Sequence, residues 1–67
     1  MKAKILAQDL DGDDQYVDCW FDTNYIIGFF ITEDNKVDNS INVIITSGTF
    51  TLLQSRELID FLTNKFI

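Results

Sequence analysis

The sequence predicts an α+β domain: a five-stranded antiparallel β-meander followed by one C-terminal α-helix packed on one sheet face. Three observations carry that expectation. Five short runs between residues 2 and 53 read as strands, and the last four are rich in β-branched and aromatic side chains. Residues 56–66 switch to helical spacing directly behind a serine. No proline interrupts any of these runs, and 67 residues leave room for one domain, 1–67.

Lys2–Gln8 reads as the first strand, with Ile5 and its alanine neighbours on one side and Leu6 on the other. Asp9–Asp14, DLDGDD, is a polar loop. Gln15–Asp22 and Tyr25–Thr32 then read as a hairpin across Asp22-Thr23-Asn24-Tyr25. Asn tolerates positive φ, and Asp and Thr bond back to nearby backbone. Counting outward from Thr23 and Asn24 places Val17, Cys19, Phe21, Ile26, Gly28 and Phe30 on one side. The other side receives Tyr16, Asp18, Trp20, Asp22, Tyr25, Ile27, Phe29 and Ile31. The first set looks like core; the second is aromatic and acidic together.

Glu33–Ser40 reads as a polar connection. Ser40–Thr46 and Thr49–Leu53 form a second hairpin around Ser47-Gly48, with Ile45 opposite Phe50, Val43 opposite Leu52 and Ile41 opposite Gln54. Ser55 is placed to cap a helix Arg56–Phe66, and Glu57 sits where the helix dipole favours negative charge. Leu58, Ile59, Phe61, Leu62 and Phe66 share one arc, and Lys65 falls within it near the C-terminal end. One helix covers one side of a sheet, here the side of Val17, Cys19, Ile41, Val43 and Leu52. That leaves Tyr16, Asp18, Trp20, Asp22, Tyr25, Ile27 and Phe29 as the candidate partner-binding surface, unless the sheet curls and buries them itself.

Composition narrows the function classes. A chain this short buries only about 60% of its unfolded surface and usually needs disulfides, metal or oligomerisation. Cys19 is the only cysteine and there is no histidine, so the expectation is no internal disulfide, no metal and no cofactor. Oligomerisation remains, and 46% hydrophobic content fits a homodimer. No signal-peptide pattern is read at the N-terminus, and the longest apolar run, Tyr25–Ile31, is short for a membrane span. The expected setting is the cytoplasm, with no membrane contact.

The net charge of −6 is uneven: residues 9–38 hold nine acids against Lys36. Such a field attracts basic partners and disfavours direct nucleic-acid binding. Asp9, Asp11 and Asp13 resemble the start of an EF-hand calcium loop, but Asp14 stands where Gly is needed and Trp20 where a bidentate Glu should be. Catalysis has little material. A base–nucleophile pair lacks its histidine, and Asp18 and Asp22 on one strand would lie about 13 Å apart, beyond the ~5–9.5 Å of a two-carboxylate hydrolase. The function expected is a small acidic, non-enzymatic interaction module binding a protein or itself. The alternative is an inhibitor from a phage or other mobile element that mimics nucleic acid towards a host enzyme.

Overall fold

A computed structural model describes residues Met1–Ile67. It has strands β1 (Lys2–Gln8), β2 (Asp14–Trp20), β3 (Ile26–Phe30), β4 (Ser40–Ile45) and β5 (Gly48–Leu53). Helix α1 (Glu33–Asp38) lies between β3 and β4, and helix α2 (Arg56–Phe66) follows β5. The class is as expected: α+β, five antiparallel strands and a C-terminal helix. The neighbour order is not that of a meander. It runs β2-β1-β5-β4-β3, so β2 and β3 are the two edges.

The expected Gln15–Thr32 hairpin therefore does not form. The I′ and II′ turns that favour a two-residue hairpin need positive φ in the loop. Only Asn39, Gly12 and Gly48 have it, and Asn24 does not. Residues Thr23–Tyr25 form a 3-10 turn instead, with the Asp22 carboxylate accepting from the Asn24 amide at 2.9 Å. The true partner of β2 is β1, from Lys2 opposite Trp20 to Gln8 opposite Asp14. Their turn is the DLDGDD loop. Asp9 Oδ1 accepts from the Asp11 and Asp13 amides at 2.9 Å each, and Gly12 turns the chain at φ 84°.

Glu33–Ser40 is not a plain loop either. Thr32 and Asn35 make a reciprocal capping box, Glu33 and Asp34 occupy the first turn, and Asn39 ends α1 in the left-handed region. Asn35 is buried and donates to Ser40 Oγ at 2.8 Å while accepting from Asn42 Nδ2 at 3.1 Å. Thr51 extends this chain by donating to Asn42 Oδ1 at 2.8 Å. The network ties α1 to the sheet face opposite α2.

The β4–β5 hairpin is shifted by two residues from the expected register: Ile45 faces Gly48, Val43 faces Phe50 and Ile41 faces Leu52. An even shift leaves every side chain on its expected face. In β3 a bulge between Ile26 and Gly28 breaks that rule. It sends Phe29 to the helix side, where its ring lies 5.8 Å from Phe66, and Phe30 to the other side.

Ser55 caps α2 by accepting from the Leu58 amide at 3.1 Å. Leu58 and Leu62 are fully buried and pack with Ala3, Ile26, Ile41, Val43 and Leu52 into one core. We expect Asn35→Ala to lower stability by about 2 kcal/mol, because buried Ser40 and half-buried Asn42 lose their partner. A urea midpoint equal to that of the parent chain would show that the network contributes nothing.

Candidate functional site

The chain must pass from Trp20 on one edge to Ile26 on the other. In a flat sheet four inter-strand steps put these edges roughly 19 Å apart. Three extended steps and a 3-10 turn reach only about 16 Å. The sheet accordingly coils, and Phe21–Tyr25 becomes a strap across its helix side. Phe21 packs against the core, and the Met1 ammonium donates to its carbonyl at 2.9 Å. At the other end Lys65 Nζ donates to the Ile26 carbonyl at 2.7 Å and the Thr23 carbonyl at 3.2 Å. Its ammonium also lies 5.7 Å from the Phe61 ring and 5.5 Å from that of Phe66.

Beside the strap is an apolar groove of about 310 Å³. Ile5, Cys19, Val43, Ile45, Phe50 and Leu52 form its floor. Phe21, Asp22 and Tyr25 of the strap form one wall, and the β4–β5 turn residues Thr46 and Ser47 its rim. Tyr25 remains 58% exposed and Phe50 43% exposed, so the groove is open to solvent. It exists because α2 is too small for the sheet. A helix is about 10 Å across, and five strands span roughly 19 Å. The helix packs with Ala3, Ile26, Ile41, Val43 and Leu52, and leaves Cys19 of β2, Ile5 of β1 and the Ile45–Phe50 end of the β4–β5 hairpin facing the groove.

The seven residues expected to form one binding face are divided among four places. Tyr16, Asp18 and Trp20 lie on β2, on the side facing away from α2, opposite Leu6, Lys4 and Lys2. Trp20 is 70% exposed, with Lys2 Nζ 5.5 Å from its ring. Asp22 and Tyr25 belong to the groove wall. Ile27 is exposed on the far edge strand, and Phe29 packs against the core beside Phe66. The contiguous aromatic face is thus not assembled, because the hairpin that would build it is absent. Val17, Cys19 and Phe50, expected on the helix-covered side, line or flank an open groove instead.

The carboxylates are also differently used. Asp18 is held by Lys4 at 3.0 Å and Lys2 at 3.6 Å. The Lys4 hydrogen bond draws its pKa below the ordinary 3.8; desolvation opposes it, and the charges of Lys2 and Lys4 add to the lowering. Asp9 is committed to its own turn and Asp22 to the strap. No three carboxylates or thiols converge as metal ligands. The groove itself offers apolar contact and one carboxylate already bonded to backbone. No helix is long and apolar enough to cross a membrane. No protein family, curated protein or solved structure matches the chain.

Two expectations follow. A lowered carboxylate pKa adds stability that is complete above 3.8 and is lost as pH falls through the folded value. Asp18→Asn should therefore melt below the parent at neutral pH, and the gap should close on acidification beneath the carboxylate range. A gap independent of pH would assign the loss to packing. Lys65→Met should cost about 1 kcal/mol and speed amide exchange at Tyr25 and Ile26 before that of β4. Unchanged exchange there would mean that the strap is held without it.

Proposed function

We propose that the protein is a non-enzymatic interaction module that binds a protein segment in the groove between the strap and the β4–β5 hairpin, floored also by Ile5 of β1 and Cys19 of β2. The observation that carries this reading is the groove itself. Eight of its eleven lining residues are hydrophobic, and two of its aromatics stand open to solvent. Tyrosine and phenylalanine in a concave apolar setting supply large contact area at low entropic cost. The lining contains no base–nucleophile pair and no cluster of titratable groups, so binding rather than turnover is what its chemistry suits. A cytoplasmic setting fits one free thiol and remains part of the same proposal.

The nucleic-acid mimic draws less support. It needs acids projecting at phosphate-like spacing, and three of them are engaged: Asp18 by lysines, Asp9 and Asp22 by backbone amides. Self-association through this groove would bring together two copies each carrying −6.

A photo-crosslinking amino acid placed at position 50 or 25 in living cells tests the reading. We expect a discrete covalent protein adduct from both positions and none from Thr49, on the opposite face. Adducts arising at Trp20 alone would move the interface to the outer face of β2. Adducts at neither groove position would remove the groove as a binding site, and an adduct of twice the chain mass would show a homodimer.

A further inference from the structure

We infer that the groove takes an extended apolar peptide segment carrying Lys or Arg four or five residues from its apolar anchors, laid along the free edge of β1 towards the acidic turn. This rests on the groove being a protein-binding site, and it specifies what binds there and how. Three independent features of the fold point the same way.

The first is an unused strand edge. β1 and β5 are joined at a single pair, Ile5 opposite Leu52. Beyond it Leu6, Ala7 and Gln8 pair with β2 alone, so one side of their backbone has no strand partner. Such an edge is a template for an added strand. The second is where that edge starts. Ile5 is both the last residue bridged to β5 and part of the groove floor. A segment anchored on Tyr25 and Phe50 would run out of the groove directly onto the edge.

The third is charge. No Lys or Arg lines the groove, and Asp22 does. At the far end of the β1–β2 hairpin Asp11, Asp13 and Asp14 are exposed, and none of the three carboxylates carries an ion pair. The turn begins four residues beyond Ile5 on β1 and ends five before Cys19 on β2. At ordinary strand rise that is about 13–17 Å, the reach of four or five extended residues. The basic side chains of the protein lie elsewhere: Lys2 and Lys4 face the opposite side of β1 with Asp18, and Lys65 holds the strap. At the strap Asp22 is set against the Met1 and Lys65 ammoniums, so it is at the turn end of the route that the field is negative. It favours a basic segment and opposes a second copy of this chain.

The test is selection of binders from a randomised peptide display library on the intact protein, with counter-selection on Phe50→Ser and, separately, Tyr25→Ser. Tyr25 lies on the strap and is largely exposed, so its substitution keeps the experiment decisive if Phe50→Ser fails to fold. We expect enriched peptides with apolar residues at alternate positions and Lys or Arg four or five places away. Their affinity should fall about tenfold from low to physiological salt. It should also drop severalfold on Asp11→Asn/Asp13→Asn/Asp14→Asn, with Asp9 kept to hold the turn and the melting temperature unchanged. Enriched peptides that bind the groove but lack basic residues, or ignore salt, overturn the inference and leave the binding reading intact. Peptides that bind the serine variants as well as the parent, or no enrichment at all, overturn the inference. The crosslinks at positions 50 and 25 then say whether the groove reading falls with it.

Discussion

The connection between the two edge strands governs this structure. Five residues must carry the chain from one side of a five-stranded sheet to the other. They can do so only by crossing a face, and only if the sheet bends to meet them. That crossing occupies space a covering helix would otherwise fill, and it raises a wall where the sheet would be flat. The groove results from two elements sharing one face, with neither long enough to close it. Lys65 reaches from α2 to the carbonyls of the strap, so helix and strap are positioned together.

Much of this was legible in the residues, and the failures have physical causes. Faces were read well because alternation survives any even change of register. Ile41, Val43, Ile45, Phe50 and Leu52 share the helix side although their pairs moved by two. The bulge at Ile26–Gly28 is an odd change, so Phe29 and Phe30 exchange sides. No local pattern announces a bulge there except Gly28 itself.

The larger error was the choice between two turns. Asp22-Thr23-Asn24-Tyr25 and Asp9–Asp14 both offer turn residues, but only the second contains a glycine, and Gly12 adopts the positive φ that this turn uses. Weighing that glycine would have paired β1 with β2. The helix α1 was signalled too, by Thr32 and Asn35 three apart and two acids between them. The groove could have been anticipated from dimensions, since an eleven-residue helix cannot roof five strands. Its location could not, because that depends on the strand order.

The lone Ile5–Leu52 bridge bears on how the chain acquires its shape. From Ile26 onward, each strand meets its neighbour through a short connection, and contacts of low sequence separation form early. The N-terminal arm instead waits for a partner at position 52, the far end of the chain. Its docking on the rest of the sheet closes a longer stretch of chain than any other strand pairing. A turn crowded with aspartates gives that waiting arm a repulsive tip, which discourages two unfinished chains from pairing by the edges they have yet to fill.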